Sequence, residues 1–183
     1  MLGKCFRREP DQRRCVQAAM TEVTDTKALL LDAVQDLLDA ERAIVERLPK
    51  VRGHAHDNEL RLLLEGDATH SAAQVKALRE IADSLGAKGS GAANVWARAI
   101  LDDAERDTRT VAPGPLLDVA LIGAIRKLKQ AERVSYETAI ALARAQGDDA
   151  LAATLTEYRD SEETVDDTLA ALLAKAVAAC AES

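Results

Sequence analysis

Aromatic side chains are nearly absent from this 183-residue chain, which holds one Trp, two Tyr and one Phe. Proteins that bind single-stranded nucleic acid stack the bases on aromatic rings, and this chain offers no such platform. The formal net charge of −7 also repels a phosphate backbone. We therefore expect no nucleic-acid partner.

Cysteines and long apolar runs are also scarce. Cys5, Cys15 and Cys180 are too few and too scattered for a disulfide framework or a four-thiolate zinc site. Such sparse thiols are typical of the reducing cytoplasm. A membrane-spanning helix needs roughly 18 apolar residues, and the best stretches, Leu116–Ile125 and Leu169–Cys180, each contain a charged residue. The sequence therefore predicts a cytoplasmic protein without a membrane partner.

Small and aliphatic residues make up most of the 48% hydrophobic content. Ala and Leu are strong helix formers, whereas strands favour β-branched and aromatic residues. Apolar residues recur at helical spacing in four long stretches, at about Asp25–Val51, Asp57–Leu85, Leu116–Gln146 and Asp149–Cys180. The intervening Gly86–Pro115 is long enough to run the height of a bundle, and it includes a short amphipathic piece around Trp96–Leu101. The predicted fold is an all-α four-helix bundle with a short extra helix in its long crossover.

The predicted domain organisation is one bundle preceded by an arm. Residues 1–19 carry five basic and two acidic side chains, and they lack the apolar segment of a secretory signal. We interpret them as a basic, mobile N-terminal arm or as a start site placed too early. Residues 20–183 form the bundle in this interpretation.

Each of the four long helices carries one acidic residue in the middle of its apolar face, namely Glu41, Asp67, Glu132 and Glu162. Glu41 lies about 13 residues before the first predicted turn and Asp67 about 12 after it, while Glu132 and Glu162 are each 15 residues from Gly147. At a rise of about 1.5 Å per residue, each pair shares a height in the bundle. Turns at opposite ends would bring all four acids to one level. Turns at the same end would also bring them close, so height leaves the topology open.

Four carboxylates in an apolar interior repel one another and are costly to desolvate, and a divalent cation relieves both problems. Carboxylate bundles that hold two iron or manganese ions use one Glu from each of two helices and a Glu-x-x-His pair from each of the others. Asp67 and His70 have that spacing, and Glu162 is followed by Asp166. The candidate metal ligands are Glu41, Asp67, His70, Glu132, Glu162 and Asp166, for one or two ions of iron or manganese. Alternatively, a basic residue such as Arg126, Lys127 or Lys129 neutralises Glu132.

The segments 35–51, QDLLDAERAIVERLPKV, 118–147, DVALIGAIRKLKQAERVSYETAIALARAQG, and 162–169, EETVDDTL, carry a family resemblance. With these motifs the chain resembles the YciE/YciF-type family of ferritin-like bacterial proteins. The resemblance implies a ferritin-like four-helix fold, a dinuclear metal site whose acids match Glu41, Glu132 and Glu162, and a role in stress response. It implies no established reaction.

The chain departs from the family pattern at three places. The second helix of the family carries His and then Glu three residues later, whereas here Asp67 precedes His70. A Glu-His pair before the acid that matches Glu132 is replaced by Lys129 and Gln130, and Ser161 replaces the first Glu of a pair on the last helix. These changes remove negative charge and make a second metal doubtful, and the lysine could replace a cation.

Two hypotheses about function follow. In the first, the protein binds a non-haem metal, with weak oxidase, peroxidase or iron-handling activity among the options, and Tyr136 and Tyr158 act as nearby hydrogen-bond donors. In the second, a metal-free acidic bundle acts through assembly or partner binding. Whether the protein is an enzyme is left open. Both hypotheses allow a homodimer, because the outer helix faces are rich in Ala.

Overall fold

The structure, a computed structural model, describes residues 23–89 and 91–181. Its helices are α1 (Thr26–Arg52), α2 (Asn58–Ser84), α3 (Val95–Thr110), α4 (Pro115–Ala145) and α5 (Asp149–Ala181), and the described residues contain no strand. The predicted all-α class is therefore confirmed. The arm expected at residues 1–19 lies outside the described residues. Within the described ranges, every helix is too short or too polar to cross a membrane.

Local sequence signals explain where the helices begin and turn. The Asp25 carboxylate accepts the Ala28 N–H at 2.8 Å and caps α1, and Asp57 accepts the Glu59 N–H at 2.6 Å and caps α2. Pro49 lies in the last turn of α1, which ends three residues later at Arg52. Gly147 adopts φ 73° between α4 and α5, a backbone conformation that glycine reaches without steric cost.

Two apolar cores occupy the two halves of the bundle. The first core includes residues from the α1–α2 turn, from the start of α4 and from the end of α5: Val51, Ala55, Leu60, Leu117 and Ala176. The second includes residues from the start of α1, the end of α2 and both sides of the α4–α5 turn: Leu30, Ala82, Ala143 and Ala152. The two hairpin turns therefore lie at opposite ends of the bundle, which settles the topology that the sequence left open.

Helix α3 is the extra helix of the crossover, and it packs against α1 and α4. It is longer than the amphipathic piece expected around Trp96–Leu101. Arg47 of α1 holds it: the guanidinium donates to Asp102 at 2.6 Å, to Glu105 at 2.8 Å and to the carbonyl of Arg98 at 3.2 Å. These charged contacts stabilise the second half of α3.

Candidate metal centre

A layer of charged side chains lies between the two apolar cores. We call it the central cluster, and it consists of Glu41, Asp67, Lys129, Glu132 and Glu162. Each of these residues is at most 3% exposed. Each acid lies among apolar residues on the inward face of its own helix. Because the two hairpin turns lie at opposite ends of the bundle, all four acids are at one level. The structure thus brings together the four acids that the sequence placed at matched heights.

Lys129 supplies the positive charge of the central cluster. Its Nζ lies 2.8 Å from Asp67 Oδ1, 3.0 Å from Glu132 Oε2 and 2.7 Å from Glu162 Oε2. These carboxylates come from α2, α4 and α5, so one ammonium group joins three helices. Lysine and Glu132 are three residues apart on α4, a spacing that places them on the same helix face.

Three glutamates of the central cluster form a second, overlapping grouping. Glu41, Glu132 and Glu162 each offer an oxygen, and these atoms lie within 4.8 Å of one another. Among the described residues, Glu41 Oε2 and Glu132 Oε1 are buried and have no hydrogen-bond partner, whereas Glu132 Oε2 forms no hydrogen bond but is ion-paired with Lys129 at 3.0 Å. Buried carboxylate oxygens without donors are costly, because desolvation is not compensated. Hard divalent cations are bound by oxygen ligands of this type.

Burial perturbs the protonation of the cluster. It raises the pKa of Glu41 to about 8, with the Glu162 carboxylate adding to the rise and Lys129 opposing it. Burial also raises the pKa of Glu132 well above its usual range, again against the opposing effect of Lys129. For Lys129 itself, burial favours the neutral amine, but Asp67, Glu132 and Glu162 outweigh burial and raise its pKa well above normal. The lysine is therefore charged at neutral pH, and its single charge leaves part of the acid charge unbalanced.

Neutral side chains complete the surroundings. The Tyr136 hydroxyl donates to Glu41 Oε1 at 2.9 Å, and the Gln74 amide donates to Glu162 Oε1 at 3.2 Å. The Tyr158 ring meets the Tyr136 ring edge to face at 6.1 Å. Sequence reasoning anticipated Tyr136 as a donor to the cluster and placed Gln74 just off the centre of its face, but it did not assign Gln74 a partner.

Ser71 is a buried member of the surroundings that sequence reasoning missed. Its hydroxyl faces Glu41 and opposes the rise in the pKa of that carboxyl. The available signal was its position on α2, four residues after Asp67 and three before Gln74, on the same helix face.

Two of the six candidate ligands lie apart from the central cluster. His70 is exposed on α2, since three residues of helix rotate it about 60° away from Asp67. Asp166 accepts hydrogen bonds from Arg126 Nε at 2.7 Å and from Gln130 Nε2 at 2.6 Å. The Arg126 guanidinium holds the pKa of Asp166 below its usual range. Neither residue is needed to describe the geometry of the cluster.

The donor set fits one divalent cation better than two. Glu41, Glu132 and Glu162 converge, and Glu41 and Glu132 retain buried oxygens that accept no hydrogen bond from the described residues. Both oxygens of Glu162 accept hydrogen bonds, one from Gln74 and one from Lys129. Asp67, the fourth acid, is instead paired with the ammonium group of Lys129. A dinuclear centre of the kind implied by the resemblance needs ligands for a second ion. Among the described residues, the position beside Asp67 where such an ion would lie is occupied by the Lys129 ammonium.

Comparisons with known proteins agree with this architecture. Residues 25–182 match the family described as "Domain of unknown function (DUF892)". The E. coli stress protein YciF has 20% sequence identity and a TM-score of 0.80, over 85% of this chain and 98% of that one. YcfI from Rhodopseudomonas palustris has 25% identity and a TM-score of 0.77, over 82% and 96% of the two chains. No curated protein matches the sequence significantly.

Proposed function

The chain belongs to the DUF892 family, of the YciE/YciF type, and we propose that it is a ferritin-like, stress-related protein that binds one divalent cation inside its bundle. Glu41, Glu132 and Glu162 are the proposed ligands. The observation that carries the proposal is the convergence of these three carboxylates in an apolar interior, with buried oxygens that no described residue satisfies. The stress-related part is supported by the similarity to YciF.

The charge of the central cluster supports the same proposal. Four ionised carboxylates carry −4 and Lys129 carries +1, so −3 remains in a site removed from water. A divalent cation reduces this to −1, and the alternative is that Glu41 and Glu132 stay protonated, as their raised pKa values indicate. Carboxylate ligands suit manganese, and carboxylate-rich helical bundles hold iron or manganese. Either metal, when bound, supplies one-electron redox chemistry at this position.

The protein's own groups would orient the ligands. Tyr136 holds one oxygen of Glu41 by its hydrogen bond and leaves the other free for a cation. The Gln74 amide holds one oxygen of Glu162, while the other oxygen of Glu162 pairs with Lys129. Such supporting hydrogen bonds fix the rotamers of metal-binding side chains. The two apolar cores above and below the cluster exclude water from it.

Titration of the chelator-treated protein with Mn²⁺, followed by counting of the retained metal, tests the proposal. We expect one ion per chain, and a rise in the unfolding midpoint. At 100 times the dissociation constant, ligand binding stabilises the native state by about 2.7 kcal/mol. For a chain of this length that corresponds to roughly 5–11 °C.

Two variants on one helix supply the contrast. Glu41→Gln keeps the shape and the Tyr136 contact but removes a ligand charge, and it should abolish binding. Glu46→Gln changes an exposed glutamate five residues further along α1 and should bind as the wild type does. Equal uptake by both variants, or no uptake by the wild type, would remove the proposal.

A second candidate function is favoured by Lys129. Its three ion pairs at 2.7–3.0 Å already neutralise part of the cluster, so a metal-free bundle that acts through assembly or partner binding is the alternative. In that case the unfolding midpoint is indifferent both to chelator and to added Mn²⁺.

A further inference from the structure

Lys129 and the glutamate site share two carboxylates. Glu132 and Glu162 are within 4.8 Å of Glu41 through one oxygen each, and both also pair with the Lys129 ammonium. A cation held by the three glutamates and the Lys129 ammonium would share two carboxylates, as two bridged metal ions do. In this bundle the second positive charge is covalently attached to α4.

The position of Lys129 on its helix supports this comparison. In bundles that hold two metal ions, a helix supplies two ligands three residues apart. Lys129 is three residues before Glu132 and faces the same interior. It therefore stands where α4 would otherwise offer its second ligand, and it presents a positive group in place of a ligand atom.

The contacts of the ammonium group match those that a cation needs. Three carboxylate oxygens from three helices surround Nζ at 2.7–3.0 Å. Nζ donates hydrogen bonds to Asp67 and Glu162 and forms an ion pair with Glu132. Asp67 is bound only through this contact: its Oδ1 pairs with Nζ, and its Oδ2 is buried without a hydrogen bond from any described residue. Removal of the lysine would leave three buried carboxylates with no counter-charge at that point.

From these contacts we infer that Lys129 takes the place of a second divalent cation, so that the wild-type protein is limited to one metal ion and loss of the lysine creates a second site at Asp67, Glu132 and Glu162. This inference rests on the proposed function for the first ion only. The second site uses an acid, Asp67, that the first does not.

The test compares Mn²⁺ binding by the wild type, Lys129→Ala and Lys129→Gln after chelator treatment. Metal is counted by elemental analysis after desalting, and electron paramagnetic resonance distinguishes isolated Mn²⁺ from spin-coupled pairs. We expect one isolated ion in the wild type and two coupled ions in both variants. Lys127→Ala is the matched control, because the Lys127 side chain is 66% exposed and lies 3.7 Å from Asp103 on the surface; it should keep the wild-type count.

Each outcome decides between the two proposals. One ion in the wild type and one in both Lys129 variants overturns the inference and leaves the proposed function standing. No ion in the wild type but one in the variants overturns the proposed function and supports the lysine as a cation substitute. No ion in any protein overturns both. If a variant is unfolded without metal, circular dichroism during Mn²⁺ addition provides the readout: refolding with two ions supports the inference, and no refolding of either variant overturns it.

Discussion

Replacement of Lys129 by Met should destabilise the metal-free protein strongly. Methionine has a similar length but no charge, so the change removes the ammonium group with little loss of volume. The side chains of Lys129, Asp67, Glu132 and Glu162 are each at most 1% exposed. Loss of one partner from a buried ion pair costs about 3–5 kcal/mol, because the remaining charge is left unpaired. For a chain of this length this corresponds to a fall of roughly 6–20 °C in the unfolding midpoint.

The pH dependence of this penalty has a definite sign. Carboxyls whose pKa is raised by burial take up protons as the pH falls, and a protonated carboxyl needs no counter-charge. Without Lys129 the pKa values of Asp67 and Glu132 should rise further, since the lysine now opposes their increase. The penalty of Lys129→Met should therefore be largest near pH 8 and should shrink towards pH 5.

Thermal and urea unfolding in the presence of chelator, at pH 8 and pH 5, measure the effect. Lys127→Met is the control on the same helix, and its exposed, 3.7 Å ion pair should contribute less than about 0.5 kcal/mol. The double variant Lys129→Met/Asp67→Asn should recover part of the loss, because one unpaired charge is removed together with the lysine. A Lys129→Met protein as stable as the Lys127→Met protein at pH 8 would refute the assignment of Lys129 as the counter-charge.

The remaining predictions concern the groups around the cluster. Binding of Mn²⁺ at pH 7 should release protons and strengthen as the pH rises towards 8, since burial raises the pKa of Glu41 to about 8 and the cation displaces its proton. Calorimetry in buffers of different ionisation enthalpy measures the number of protons released, and a value of zero contradicts the prediction. Asp166→Asn should cost about 1 kcal/mol at pH 7, with an unchanged metal count, because the Arg126 partner of Asp166 is partly exposed. The stabilisation by the Asp166 carboxylate is present above its unfolded pKa near 4 and should fade as the pH falls through its lowered folded pKa. Chemical unfolding at pH 7 and pH 3 measures this change. Tyr136→Phe should cost about 1–3 kcal/mol, since Glu41 loses a buried donor, and a change below 0.5 kcal/mol in urea unfolding would show that the hydrogen bond contributes little.

The helices and the level of the acids could be predicted because both follow from periodicity. A carboxylate in the middle of an apolar stripe has to face the interior once its helix packs, and its distance from a tight turn fixes its height. Glu132 and Glu162, each 15 residues from Gly147, are an example. The bounds of the four long helices agree with the predicted ones to within one residue at each end.

The three-residue spacing of Lys129 and Glu132 favours that pair. The pairing of Lys129 with Asp67 and Glu162 on other helices could not be predicted, because it depends on a long side chain whose direction the helical period does not fix. Sequence reasoning named Arg126, Lys127 and Lys129 as alternative partners of Glu132. In the structure Arg126 pairs with Asp166, Lys127 lies near Asp103, and Lys129 is buried and pairs with Glu132. A rotation of about 100° per residue separates these neighbours, but a flexible four-carbon stem can cover much of that angle.

The second half of α3 was missed for a related reason. The stretch after Leu101 is rich in Asp, Glu and Arg, so it has little apolar period to reveal a helix. Its stabilisation comes from Arg47, which lies more than 50 residues earlier in the chain and contacts Asp102 and Glu105. Long-range ion pairs of this kind leave no local signal.

Under the proposed function, the Lys129 ammonium would change how the stability of the bundle depends on the concentration of free metal. A site that relied on divalent cations alone would leave four buried acids unpaired whenever the free metal fell below its dissociation constant, because the stabilisation then disappears. Lys129 contributes its charge at any metal concentration, and Asp67 and Glu162 therefore keep a partner in the metal-free protein. The remaining imbalance falls on Glu41 and Glu132, whose raised pKa values allow protons to neutralise them. Under the proposed function, we therefore expect the bundle to stay folded both with the cation and without it, so that uptake and release of a metal need not involve unfolding.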